Sequence, residues 1–193
     1  MASKPGERKQ QILETLAAML EKPAREKITT ASLAEKLDVS EAALYRHFAS
    51  KAQMFEGLIE FIEQSLFSLI NKISAEEPDG LTQVRRIVTI MLLFAEKNPG
   101  MARVLIGDAL VNEDDRLQVR INQMFDRIES TLKQSFRIAE TQTKRQLDPE
   151  AQANLMLCFV IGRWHQFAKS GFKRKPMELL QQQLNYLNGA ESN

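Results

Sequence analysis

Cysteine, glycine and proline are scarce in this chain of 193 residues, and long apolar runs are missing. The chain has one cysteine, 8 glycines and 6 prolines. The lone Cys158 has no partner for an intramolecular disulfide, which favours a reducing compartment. No stretch approaches the roughly 18 consecutive apolar residues that a membrane span needs, and the N-terminus lacks the apolar core of a secretion signal. We therefore expect a cytoplasmic protein without a membrane span.

An excess of charge of one sign is missing as well. The 26 Lys and Arg residues nearly balance the 25 Asp and Glu residues, and the formal net charge is +1 at pH 7. Bulk charge alone therefore does not indicate nucleic-acid binding, and any DNA-binding surface has to be a local patch. The hydrophobic fraction of 44% is that of an ordinary soluble globular protein.

Patterns that support catalysis or metal binding are also lacking. A metal site needs several convergent ligands, whereas the chain has only two histidines, His47 and His165. Cys158 lies in an apolar helical stripe, where a thiol is usually inert. Gly100 and Gly107 stand singly, so they do not form a phosphate-binding loop. We expect no enzyme activity, no catalytic residue, no metal and no cofactor.

What the chain does have is apolar residues at helical spacing along most of its length. This pattern predicts an all-α fold of about nine helices. Pro23 is expected to end the first helix, and Thr30 is expected to cap the second. The nine helices are expected at about 7–21, 31–37, 41–48, 51–74, 81–97, 101–110, 113–140, 149–169 and from Pro176 onward.

The second and third of these helices are separated by only three or four residues. This is the spacing of a helix-turn-helix, whose second helix enters the major groove of duplex DNA. Leu44 and Phe48 form the buried stripe of that helix, which turns small and hydrogen-bonding side chains outward. Small alanines allow close approach to base edges, and polar groups donate to phosphates. The candidate DNA contacts are Thr29, Thr30, Ser40, Ala42, Ala43, Tyr45, Arg46, His47 and Lys51. Periodicity alone leaves open an ordinary amphipathic helix with an exposed arginine.

The residues themselves are more specific than their spacing. The stretches ITTASLA (28–34), VS (39–40), ALYRHF (43–48), SK (50–51) and MF (54–55) closely resemble the TetR family signature over about residues 8–60. The resemblance implies a TetR-type fold, with a DNA-binding helix-turn-helix domain over 1–52. It also implies a helical body over 53–193 that forms a homodimer through the last two long helices. Asp38 departs from the glycine usual in the turn, but Asp tolerates a left-handed backbone.

Residues both inside the helix-turn-helix domain and beyond it resemble one branch of the family, the nucleoid occlusion factors. The likeness rests on EAALYRHF (41–48), LIEFIE (58–63), NPG (98–100), DRLQ (115–118) and RINQ (120–123), and it extends over about residues 8–134. It implies a nucleoid-associated protein that binds chromosomal sites and the division protein FtsZ, disrupts FtsZ assembly and inhibits division over the DNA. The alternative is a transcriptional repressor that a small-molecule ligand releases from its operator.

The resemblance also implies a groove between the fourth and fifth helices for the C-terminal tail of FtsZ. The candidate contacts are Phe61, Ser65, Leu93, Lys97 and Asn98. Phe61 and Phe67 fall away from the apolar stripe of the fourth helix, so one of them is expected to be exposed. Leu69 stands where relatives are expected to carry a basic residue. For a ligand-controlled repressor, Trp164 and its apolar neighbours would line a cavity, although packing is the more common role of such a stripe.

Overall fold

The computed structural model describes residues 5–22, 28–144 and 146–187 of the chain. These residues form nine α-helices and no β-strand, which confirms the all-α prediction. The helices are α1 (Pro5–Leu20), α2 (Thr30–Lys36), α3 (Glu41–Tyr45), α4 (Lys51–Glu76), α5 (Gly80–Lys97), α6 (Pro99–Leu105), α7 (Asp115–Thr143), α8 (Pro149–Lys169) and α9 (Leu180–Leu187). The expected role of Pro23 lies outside the described residues. None of the described helices is long and apolar enough to cross a membrane.

The chain divides into two compact units. The first contains residues 1–62 and 98–121, and the second contains 63–97 and 122–193. This division differs from the sequence boundary at residues 52 and 53, because α4 and α7 each contribute residues to both units. The first unit therefore includes α6 and the start of α7 in addition to the helix-turn-helix.

The start of α2 corrects one cap prediction. Thr29, and not Thr30, is the N-cap: its backbone is extended, and its hydroxyl accepts a hydrogen bond from the N–H of Ser32 at 3.0 Å. The Ser32 hydroxyl accepts in turn from the N–H of Thr29 at 3.1 Å. Two donors that would otherwise lack partners at the helix start are thus satisfied reciprocally.

Two other helix bounds also differ from expectation, and positive φ angles explain both. The segment expected as one helix over 101–110 is α6 followed by a 3₁₀ turn at Asp108–Leu110, because Gly107 has a φ of 75°. The last helix begins at Leu180 and not near Pro176, because Leu179 has a φ of 60°. A left-handed residue cannot continue a right-handed helix.

The first unit is held together where α1 meets α6. Gly100 lies against α1 so closely that a Cβ atom there would collide with the carbonyl oxygen of Ala17. From the same helix, the Arg103 guanidinium donates to the carbonyl oxygens of Leu20 and Lys22 at 3.2 and 3.3 Å. Leu20 is the last residue of α1 and Lys22 lies two residues beyond it, so Arg103 supplies hydrogen-bond donors at the C-terminal end of the helix, where carbonyls lack partners within the helix.

The second unit packs around a buried tryptophan on α8. The Trp164 side chain is fully buried, and its indole N–H donates to the backbone carbonyl of Met91 on α5 at 3.2 Å. Ser135 on α7 donates a buried hydrogen bond to the side chain of Gln83 on α5 at 2.7 Å. Trp164 therefore fills the core, as expected of a packing residue.

We predict that Gly100→Ala destabilises the protein by about 1–3 kcal/mol, because the added methyl group forces α6 away from α1. Thermal unfolding measures the effect. Gly6→Ala is the matched control, since a Cβ at this exposed helical position meets no atom within 4 Å. Equal melting temperatures for the two variants would contradict the close packing of α1 on α6.

Candidate nucleic-acid interface and partner-binding residues

The turn between α2 and α3 is set by a left-handed residue. Asp38 has a φ of 54°, which confirms that Asp replaces the expected glycine without loss of the turn. The N–H of Val39 donates to the carbonyl of Ala34 at 3.0 Å, and the N–H of Asp38 donates to that of Glu35 at 3.1 Å. This pair of bonds is a Schellman motif, which satisfies the last carbonyls of α2 and redirects the chain into α3.

Helix α3 presents small and polar side chains to solvent. The Ser40 hydroxyl caps it by accepting from the N–H of Ala43 at 3.3 Å. Leu44 is buried, as is Phe48 just beyond the helix, whereas Ala42 is exposed and Tyr45 is 45% exposed. The buried and exposed faces of α3 are therefore those that the sequence predicts.

The helix is shorter than expected, ending at Tyr45 and not at Phe48. The exposed Arg46 and the half-buried Ala43 and His47 complete the predicted set on this element. Arg46 and His47 lie in the turn that follows α3.

A hydrogen-bonded cluster joins α2 to α3. The Thr30 hydroxyl donates to the Glu41 carboxylate at 2.5 Å, and the Tyr45 hydroxyl lies 3.5 Å from the Thr30 oxygen. Two predicted DNA contacts, Thr30 and Tyr45, thus share an internal cluster with a carboxylate. This contact fixes the two helices relative to each other.

The start of α4 carries the last predicted DNA contact. The Ser50 hydroxyl accepts from the N–H of Gln53 at 3.2 Å, and the Gln53 side chain accepts from the N–H of Ala49 at 2.8 Å. Lys51 opens the helix, and its ammonium lies 2.5 Å from a carboxylate oxygen of Glu113. Sequence reasoning missed Glu113, since 62 residues separate the two side chains and neither position signals the other.

The five predicted FtsZ contacts are divided between the two units. Phe61 and Asn98 belong to the first, and Ser65, Leu93 and Lys97 belong to the second. Phe61 is 40% exposed and Lys97 is exposed, whereas the other three are half-buried. These exposures leave an aromatic side chain and a cation available to a partner.

Phe67 is buried beneath the Arg127 guanidinium, which lies 3.7 Å from the ring centroid. The expectation that one of the two off-stripe phenylalanines is exposed is thereby confirmed. The exposed one is Phe61.

A surface groove of about 400 Å³ lies within the second unit. Its walls combine apolar side chains with three cations, and it is lined by Leu69, Lys72, Ile73, Arg85, Arg86, Thr89 and Ile90. The Nε atom of Arg85 is buried without a hydrogen-bond partner, and Arg86 pairs with Glu77 at 3.3 Å. Leu69 itself carries no charge, but it shares this groove with Lys72, Arg85 and Arg86.

Two family models match the chain. Residues 12–58 match the model described as bacterial regulatory proteins, tetR family. Residues 78–190 match the model described as the tetracyclin repressor-like, C-terminal domain of the SlmA-like type. The first match contains the helix-turn-helix, and the second contains most of the compact unit around Trp164.

Individual relatives resemble the chain over nearly its whole length. The nucleoid occlusion factor SlmA of Alteromonas mediterranea is 53% identical over 184 residues, covering 94% of each chain. The protein of the same name from a Marinomonas species is 50% identical over 191 residues, covering 97% of this chain and 96% of its own.

Among solved structures, the TetR family transcriptional regulator PfmR from Thermus thermophilus shares the fold, with a TM-score of 0.77. It is 21% identical, and the match covers 95% of this chain and 100% of that one. The chain therefore belongs to the TetR family of bacterial regulatory proteins, in the branch that contains the nucleoid occlusion factor SlmA.

Proposed function

We propose that this protein is a nucleoid occlusion factor that binds duplex DNA at chromosomal sites and inhibits cell division over the nucleoid by binding FtsZ. One observation carries the proposal: a helix-turn-helix with an exposed recognition helix is joined to a body that resembles curated SlmA proteins over almost its full length. Location at the nucleoid follows from DNA binding.

The DNA half of the proposal is supported by the outer surface of the helix-turn-helix. Ala42 is exposed and has no side chain that would keep α3 from base edges. Arg46 and Tyr45 carry donors for phosphates, and Thr29 and Lys51 stand at the N-termini of two helices. We assign base contact to the alanines, and phosphate contact to Thr29, Thr30, Ser40, Tyr45, Arg46, His47 and Lys51.

A homodimer is supported by an uncovered face of α8. Leu155 is 46% exposed, and Cys158, Gly162 and His165 follow it on the same helical face. On α9, Tyr186 is also exposed. Pairing through α8 and α9 would cover this face and give two recognition helices for half-sites about 34–36 Å apart.

The FtsZ half is supported by Phe61 and by the groove around Leu69. Phe61 is the kind of exposed aromatic side chain that anchors a bound peptide. Lys72, Arg85 and Arg86 line the same groove as Leu69; Arg86 is paired with Glu77, so Lys72 and Arg85 are the cations that can supply the positive charge that Leu69 itself lacks. We assign the apolar anchor to Phe61 and the electrostatic contribution to these cations, with Ser65, Leu93, Lys97 and Asn98 as further contacts.

Replacing Ala42 with Phe should abolish sequence-specific DNA binding, because the ring blocks entry of α3 into the major groove. Specific affinity typically exceeds non-specific affinity by about 10³-fold or more, and this margin should be lost. Binding isotherms on genomic duplexes selected by the wild type, and on scrambled duplexes, measure it. Ala18→Phe on the exposed face of α1 is the matched control. Unchanged discrimination in the Ala42 variant would reject α3 as the reading helix.

Replacing Phe61 with Ala should weaken FtsZ binding about thirtyfold, the loss expected for about 2 kcal/mol of an interface anchor. Thermal stability and DNA affinity should be retained, because the side chain is largely exposed. Val119→Ala, which trims another exposed apolar side chain of the first unit, is the control. A Phe61 variant that melts early and loses DNA binding places the ring in the core, and one that binds FtsZ normally removes it from the interface.

Replacing Lys72 with Glu should reduce FtsZ affinity about tenfold at low salt and less at high salt, because screening weakens exposed charge pairs. Titration of FtsZ at two ionic strengths measures this. Arg137→Glu reverses an exposed charge on α7 and serves as the control. If both reversals have the same effect, the charge of the groove has no specific role.

A further inference from the structure

We propose that Glu113 is an internal competitor for DNA: its carboxylate holds the Lys51 ammonium in an ion pair that has to open before Lys51 binds a phosphate. Glu113 then sets how tightly the protein binds any DNA sequence. The inference rests on the proposed DNA binding through Lys51. It assigns a role to a residue of the turn before α7, outside the helix-turn-helix.

The pair is close and poorly accessible to solvent. Lys51 Nζ and Glu113 Oε1 are 2.5 Å apart, and the two side chains are only 19% and 10% exposed. The ammonium also lies 5.5 Å from the centroid of the Phe55 ring. Lys51 is therefore held within the first unit and does not project freely toward solvent.

Glu113 is itself held by an ordered turn. Its N–H donates to the carbonyl of Leu110 at 2.9 Å, and Asn112 before it has a φ of 62°. Asn is one of the few residues that adopts this left-handed conformation readily. The carboxylate is thus presented to Lys51 by local backbone geometry.

The competitor shares its surroundings with other predicted phosphate ligands. Thr29 and Lys51 line one cavity of about 900 Å³ in the first unit, and Glu113 and Lys36 line it too. A phosphate that approaches Thr29 and Lys51 therefore meets a carboxylate beside its ligands. Two anions compete for one ammonium, and the ion pair between Lys51 and the partly buried Glu113 carboxylate is broken when the phosphate wins.

The lysine side chain makes this exchange feasible. Its ammonium is a compact charge on a flexible four-carbon stem, so it can leave one oxygen ligand for another without movement of α4. Opening the pair exposes or displaces Glu113, and the free energy needed for that step is subtracted from DNA affinity. Removing the carboxylate charge should therefore raise the affinity for DNA.

The test is a double-mutant cycle on the full-length protein with a short fluorescent duplex of arbitrary sequence at low salt. Glu113→Gln keeps the shape of the side chain and should raise DNA affinity about three- to tenfold, the range for releasing one partly buried pair. Asp115→Asn removes the same charge two residues away without touching Lys51, so it controls for general electrostatics. In a Lys51→Met background, Glu113→Gln should have no effect beyond that of Asp115→Asn.

The outcomes separate the inference from the function on which it rests. If the wild type binds DNA and folded Glu113→Gln binds no more tightly than Asp115→Asn, the competitor role is wrong and DNA binding stands. If Glu113→Gln strengthens binding equally with and without Lys51, the effect does not pass through the pair, and the inference fails. A wild-type protein that does not bind duplex DNA overturns both. Thermal unfolding of each variant distinguishes a lower affinity from a loss of fold.

Discussion

The first unit of this protein depends on the contact between α1 and α6. Helix α1 has no C-terminal glycine cap among its described residues, and the Arg103 guanidinium supplies the donors that its last carbonyls need. The positive charge also suits the negative end of the helix dipole. Asp108 fixes the guanidinium from the other side at 2.8 Å, and Gly100 allows the two helices to approach closely enough for these bonds to form. The orientation of the helix-turn-helix thus relies on residues that lie far beyond it in the chain.

This arrangement explains which features the sequence predicts and which it does not. Local signals were sufficient for the all-α fold, the turn at Asp38 and the buried stripe of Leu44 and Phe48, because short-range periodicity and turn chemistry determine them. Neighbouring candidates are harder to separate: Thr29 and Thr30 have the same chemistry, and backbone geometry selects Thr29 as the cap. Contacts such as those of Arg103 and Glu113 left no local signal, because tertiary packing brings together positions far apart in the chain.

The charge distribution in the first unit is consistent with a protein whose net charge is only +1. Two predicted DNA ligands already have acidic partners: Thr30 donates to Glu41, and Lys51 pairs with Glu113. Phosphate contacts give affinity without sequence information, so internal carboxylates that compete for them lower the affinity for specific and non-specific DNA alike. The proposed contacts of Ala42 and Ala43 with base edges involve no charge, so the carboxylates do not compete for them. For a factor that selects scattered sites among a large excess of other DNA, the ratio between the two affinities matters more than either one alone.

Helix α4 links the two proposed activities through a single element. It begins with Lys51, and ten residues further along, about 15 Å at the rise of an α-helix, it carries Phe61. A rigid helix alone does not couple two binding events; coupling needs an element with two states that both ligands bias. The Lys51–Glu113 pair at the start of α4 is closed in the structure, and in the proposed competition with DNA it would have a second, open state when Lys51 binds a phosphate. If DNA opens the pair, the Glu113 carboxylate loses its contact with Lys51 at the same time, and so DNA binding changes the surroundings of a side chain in the first unit beyond the helix-turn-helix.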